Sequence, residues 1–110
     1  MNTFQSLESL GVTSAVLTGM DGLVIECVAR GSLSPELLAA EMANMLRSSR
    51  NLTQGLGGEV KRFTLLTDER EILAVTFSEY VLGAIVEKGG DRKAIGTELS
   101  RLASKMAQNF

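Results

Sequence analysis

Apolar residues fall into two patterns along this chain: short, nearly continuous runs, and longer stretches where they recur every third or fourth position. The first pattern marks strands and the second helices. Val12–Thr18 and Leu23–Ala29 flank Gly19-Met20-Asp21-Gly22. Asp-Gly between apolar runs predicts a hairpin, with Asp21 and Gly22 at or near the centre of a type I′ turn. Alternation puts Leu23, Ile25, Cys27 and Ala29 on one face of the second strand and Val24, Glu26 and Val28 on the other. Val60–Leu66, Ile72–Phe77 and Val81–Val86 read as three further strands, joined by Thr67-Asp68-Glu69-Arg70 and Ser78-Glu79-Tyr80. ILAVTF and VLGAIV are almost wholly apolar, as central strands covered on both faces are. Gly83 within the last run marks close approach of a helix or another backbone. Lys61 and Arg62 give VKRFTLL the character of an edge strand.

Three helices complete the pattern. A short one over Asn2–Leu10 carries Phe4, Leu7 and Leu10 on one side, and at that length it needs docking to persist. Ser34-Pro35-Glu36 is a helix start, with a hydroxyl N-cap, proline at the first helical position and an acid near the positive end of the dipole. That helix is expected to run to about Thr53 and stop at Gly55-Leu56-Gly57-Gly58. Leu38, Ala39, Met42, Ala43, Met45, Leu46 and Leu52 share one broad side, wider than the ~100° stripe that a single core requires. The excess apolar surface points to a second packing partner. Asp91 N-caps the last helix, whose Ile95, Leu99, Leu102 and Met106 form a narrow core-facing stripe. The expected order is α-β-β-α-β-β-β-α: a five-stranded antiparallel sheet, an α+β sandwich, with the long helix on one face and the two terminal helices on the other.

Composition narrows the functional classes. At 110 residues the chain is expected to be one domain over residues 1–110. A net charge of −2 gives no electrostatic drive towards nucleic acid or anionic lipid. No run is long enough to span a bilayer, and MNTFQSLESLG has neither the basic flank nor the apolar core of a signal peptide. Cys27 is the single cysteine, so neither an intrachain disulfide nor a thiolate zinc cage forms, and a reducing, cytoplasmic setting fits.

Candidate chemistry is sparse. The chain has no histidine, the usual general base near neutral pH. Cys27, mid-strand among apolar residues, reads as inert packing. Gly55–Gly58 follows a helix and lacks the Lys-Ser/Thr of a P-loop, so it reads as a stop and turn. Asp68, Glu69 and Glu71, interleaved with Arg70, read as a solvated hairpin without further metal ligands nearby. Arg47 and Arg50 on the long helix are able to reach a phosphate or a partner carboxylate. No cofactor or metal is expected, and the chain reads as non-enzymatic.

With this order in view, the chain resembles the roadblock/dynein light chain family. The matching residues are Gly11-Val12-Thr13-Ser14-Ala15-Val16-Leu17-Thr18, then Asp21-Gly22-Leu23-Val24-Ile25, then Leu38-Ala39-Ala40-Glu41-Met42-Ala43 with its Gly-rich exit. Tyr80-Val81-Leu82-Gly83-Ala84-Ile85 and the closing Glu98-Leu99-Ser100-Arg101-Leu102-Ala103 extend the likeness over nearly the whole chain. Two features depart from the family: the opening helix is short, and Arg92-Lys93 stands where a small polar turn is common. The resemblance implies a dimer in which the edge strand, about Val60–Thr67, pairs with its copy while the long helices lie side by side. It implies interface residues Val60, Arg62, Phe63, Thr64 and Leu65 on the strand, with Leu38, Met42 and Met45 on the helix. It further implies a regulator or scaffold of a Ras-like small GTPase, with Leu37, Glu41, Asn44, Arg47 and Ser48 as candidate GTPase contacts. An arginine finger from Arg47 or Arg50 is conceivable on that reading. The alternatives are a small-ligand sensor of similar fold, or an adaptor subunit of a larger complex.

Overall fold

In the computed structural model, which describes residues 3–109, the strands are β1 (Ser14–Gly19), β2 (Val24–Ala29), β3 (Arg62–Leu66), β4 (Glu71–Phe77) and β5 (Tyr80–Val86). They form one fully antiparallel sheet in the order β2-β1-β5-β4-β3. The helices are α1 (Gln5–Ser9), α2 (Pro35–Ser48), α3 (Arg50–Leu56) and α4 (Arg92–Ala107). The start of the expected opening helix, Asn2, lies outside the described residues.

Alternation along β4 and β5 builds two cores. Leu73, Val75, Phe77, Leu82, Ala84 and Val86 face α1 and α4, where Phe4, Leu7, Ile95, Leu99, Leu102 and Met106 meet them. Ala74, Val81 and Ile85, with Val16 of β1, face Leu38, Ala39, Met42 and Leu46 of α2. The apolar runs of β4 and β5 are therefore covered on both faces, as their composition requires. Gly83 does what its place in the strand predicts: a Cβ there would overlap Met42 Sδ, so its absence lets α2 sit close to the sheet.

Both expected N-caps form. Ser34 Oγ accepts the Leu37 N–H at 3.2 Å, and Asp91 Oδ1 accepts that of Ala94 at 3.0 Å.

The long helix, however, does not run unbroken to Thr53. It ends at Ser48, and Ser49, at φ −89° and ψ 2°, joins it to α3. The Ser49 hydroxyl donates to the Leu46 carbonyl at 3.0 Å, a local bond that competes with regular helix and bends the axis. As a result α3 leaves the sheet, and Leu52, expected on the core-facing side, is 68% exposed.

The first hairpin also differs from expectation. Gly22 alone in the turn has positive φ, 83°, and its N–H donates to the Gly19 carbonyl at 3.0 Å. Asp21 does not share that conformation, because its carboxylate folds forward to accept the Leu23 N–H at 3.0 Å. The turn is thus a three-residue loop with glycine at its left-handed position, and not type I′. A register shift follows, pairing Leu17 with Glu26 and Thr18 with Val24, which leaves Ile25 as the inserted residue. The simple alternation of β2 is broken there: Val24 packs on the α2 side and Val28 on the other. Cys27 is exposed, not packed as expected.

Two ion pairs involve α4, one within the helix and one that ties it to the sheet. Arg101 donates to Glu98 from Nε at 2.8 Å and from Nη2 at 2.5 Å, and these hydrogen bonds hold the Glu98 carboxyl below its usual range. Arg92 Nε donates to Glu71 Oε1 at 2.7 Å, tying the first turn of α4 to the start of β4.

A depressed carboxyl pKa contributes stability above the unfolded-state value that is lost as pH falls through the folded-state value. Glu98→Gln should therefore lower the melting temperature at pH 7, and the gap to the parent should close on acidification through the Glu98 transition. Gly22→Ala should destabilise by about 1–2 kcal/mol in urea unfolding, since it forces a left-handed Cβ to within 3.3 Å of Ala40 Cα.

Candidate partner interface

The β3 strand lies at a sheet edge, with β4 on one side and no strand on the other. Its neighbouring residues are held to β4: Thr76 N–H donates to the Lys61 carbonyl at 3.0 Å and the Thr76 hydroxyl donates to that of Val60. The free edge is therefore ordered by its inner side while its outer N–H and C=O groups stay open to pairing. Along it, Phe63 is half-buried in the α2-side core, and Arg62 reaches the opposite face, with Nη2 3.4 Å from Ser100 Oγ. Thr64 is exposed, Leu65 is 46% exposed and Leu66 71%. Above the strand, α3 offers Leu52 and Leu56, the latter 76% exposed. A groove of about 350 Å³ separates α3 from β3, with Met45, Leu56, Val60 and Phe63 among its walls. A free strand edge and several exposed leucines thus form one continuous margin of the domain.

The candidate residues of α2 divide by face. Leu38 and Met42, expected at a dimer interface, have only 4% and 0% of their surface exposed. Their side chains are used up against the chain's own sheet and have nothing left to offer a second protomer. Met45 is half-buried and borders the groove. Leu37, Glu41, Asn44, Arg47 and Ser48 all lie exposed on the outer face. Arg47 is not free there: its Nη1 donates to the Met20 carbonyl in the β1–β2 turn at 2.8 Å. Arg50, at the start of α3, is exposed and shares a second groove with Arg47.

One feature was out of reach of the sequence pattern, and a second was only partly legible in it. Glu71 is 7% exposed and paired, unlike Asp68 and Glu69, which are exposed in the hairpin as expected. Its partner Arg92 lies 21 residues away, so no local spacing announces the pair. That pair also accounts for half of the basic Arg92-Lys93 doublet. The apolar tip of α3 had a signal, Leu52 and Leu56 at i and i+4, but it takes the bend at Ser49 to turn it outward.

Among the described residues no group of three or more His, Cys, Asp or Glu is placed to hold a metal ion. Among the described residues no helix is long and apolar enough to cross a membrane.

The architecture is thus an antiparallel sheet sandwiched by helices, with one edge strand left open beside apolar side chains. The Roadblock/LC7 domain family model matches residues 2–87, and the chain belongs to that family. Among solved structures it is similar to a Roadblock/LC7 domain from Streptomyces avermitilis, at 25% identity and a TM-score of 0.77, over 89% of this chain and 84% of that one. It shares its fold with MglB of Myxococcus xanthus at 11% identity and a TM-score of 0.83, covering 94% of this chain and 86% of that one. The same holds for an MglB solved in a tetrameric arrangement, at 15% identity and 0.85, covering 94% and 81%. A comparison with curated proteins returns no match.

Removing the guanidinium donor from the Glu71 contact tests how α4 is anchored. Arg92→Ala strands a buried Glu71 without its counter-ion and should lower the melting temperature more than Lys93→Ala does. Scanning calorimetry of the two variants checks the order.

Proposed function

We propose that this chain is a non-catalytic homodimeric regulator or scaffold of a Ras-like small GTPase. The observation that carries the dimer is the open edge of β3 with Leu65 and Leu66 exposed along it. Antiparallel pairing of β3 with a second copy is isologous, so each strand supplies what the other lacks. Centred on Thr64, it sets Phe63 opposite the second copy's Leu65 and Arg62 opposite its Leu66. No cation then faces a cation, which removes the objection that Lys61 and Arg62 raise to edge pairing. Met45, Leu52 and Leu56 supply the helical part of the interface in place of Leu38 and Met42. The MglB solved in a tetrameric arrangement supports self-association within the fold.

In the dimer we assign GTPase docking to the outer face of α2, at Leu37, Glu41, Asn44, Arg47 and Ser48. The family to which the chain belongs and its fold likeness to MglB support that partner class. Docking there biases the partner's switch segments. Where an inserted guanidinium takes part, Arg50 fits better than Arg47, whose side chain is engaged with Met20.

Light scattering should give twice the 11.8 kDa chain mass at micromolar concentration. Leu65→Glu should weaken self-association about 30-fold or more, the loss expected for a central apolar anchor. A monomer at high micromolar concentration removes the dimer. The host's small GTPase, loaded with GDP or with a GTP analogue, should bind in at least one state, and Glu41→Lys with Asn44→Arg should abolish binding while leaving the dimer intact. Absence of binding in both states, with hydrolysis unchanged, removes the GTPase.

A further inference from the structure

On the sheet face opposite α2, α4 packs over β4 and β5 and does not cover β3. A trough therefore follows α4, walled on its other side by β3 beside the first half of the helix and by Lys61, Arg62 and the end of β4 beside the second. One hollow holds about 430 Å³ and an adjoining one about 370 Å³, and they meet at Arg62, Val75 and Ser100. There the Arg62 guanidinium reaches across to Ser100 Oγ at 3.4 Å and must swing aside for a ligand to span both. Lys61, Arg62, Arg92 and Lys93 line this trough and no carboxylate does, among the described residues.

Arg30, Arg70 and Arg101 each pair with a glutamate, and Arg92 with Glu71. Three of the trough's cations, Lys61, Arg62 and Lys93, have no ion pair among the described residues, and Arg47, Arg50, Lys88 and Lys105 have none either. Arg47 and Arg50, however, share their groove with Glu59 and Glu79, whereas Lys61, Arg62 and Lys93 share one that no carboxylate lines. They sit together on a chain whose net charge is −2, so the rest of the surface is more acidic than the whole. A positive trough on a negative molecule steers an acidic partner to this one place and repels it elsewhere.

The α4 wall has the shape for a chain. Gly96, Thr97, Ser100 and Ser104 present short side chains along it. A glycine inside a helix costs roughly 1 kcal/mol against alanine. Packing does not demand it at Gly96, where a Cβ would make only ordinary contact with Leu73 Cδ1 at 3.8 Å. What the missing side chain does is widen the trough. Sixteen helical residues span roughly 24 Å, about the length of seven extended residues. A compact anion needs no such length, and the trough has no exposed aromatic ring to stack a nucleic acid base.

We propose that the trough between α4 and β3 docks an extended acidic segment of a partner protein. Its carboxylates meet Lys61, Arg62 and Lys93, and the hydroxyls of Thr64, Thr97 and Ser100 donate hydrogen bonds between them. This surface lies on the face away from α2, and the α4 wall lies beyond the residues that the family model matches. The proposal requires neither self-association nor a GTPase.

The test is a titration of the ¹⁵N-labelled full chain with a capped (Glu-Val)₄ peptide, followed by amide shifts. Saturable shifts confined to residues 61–66 and 93–104 are expected, with affinity falling as salt is raised. Arg62→Glu and Lys93→Glu should each weaken binding by about tenfold, and Arg50→Glu, on the other face, should leave it unchanged. Amide spectra of the variants confirm that they remain folded, and Lys93→Gln should give an intermediate loss. The proposal is overturned by the absence of saturable shifts, by shifts centred on α2 or β2, or by equal binding of (Gln-Val)₄. Equal saturation by inorganic phosphate alone, or by an octathymidylate, overturns it as well.

Discussion

Helices cover this sheet on both faces, and both coverings stop short of β3. The α2 helix lies over β1, β2 and β5, and α4 over β4 and β5. A sheet five strands wide, about 20 Å across at the usual spacing, is more than one 10 Å helix on one face and a helix pair on the other can roof. The uncovered strand is then bare on its edge and half bare on its faces. The leucine-lined margin and the basic trough both derive from that mismatch of widths.

The same geometry explains why α2 is so sharply two-sided. Gly83 draws the helix down until Met42 fills the space where a side chain would stand. Ala39 and Ala43 are wholly buried, which places the helix backbone near the sheet and leaves no apolar surplus on its inner side. What looks on a helical wheel like one wide stripe is two surfaces: an inner one used for folding, and a set of leucines that belong to the outside. The division is made at Ser49, where a hydroxyl bonded to its own helix turns the last two turns away from the core.

Much of the architecture was legible because its determinants are local. Runs of apolar residues set strand number and order, Ser34 and Asp91 set two helix starts, and Gly83 announced its neighbour before the neighbour was known. Where the reading failed, the determinant was a competition the pattern does not encode. Asp21 bonding forward to Leu23 overrode the expected turn type and moved Ile25 out of register. Ser49 overrode a helical periodicity that continues through Leu52. The pairing of Glu71 with Arg92 depends on where two distant elements end, and the family likeness carried no account of it. Of the candidate interface residues, those on β3 fall where edge character puts them, at the margin of the sheet. Leu38 and Met42 do not, because apolar character alone cannot tell a helix's core side from a docking side.

Arg47 ties the outer surface of α2 to the turn between β1 and β2. Gly22 of that turn also lies against α2, so close that a Cβ there would crowd the Ala40 backbone. Any molecule that recruits the Arg47 guanidinium must first detach it from Met20, forfeiting a hydrogen bond worth about 1 kcal/mol and releasing one restraint on the hairpin tip. Occupancy at the helix would then be felt as loosening at the far margin of the sheet, a built-in tension line between the two.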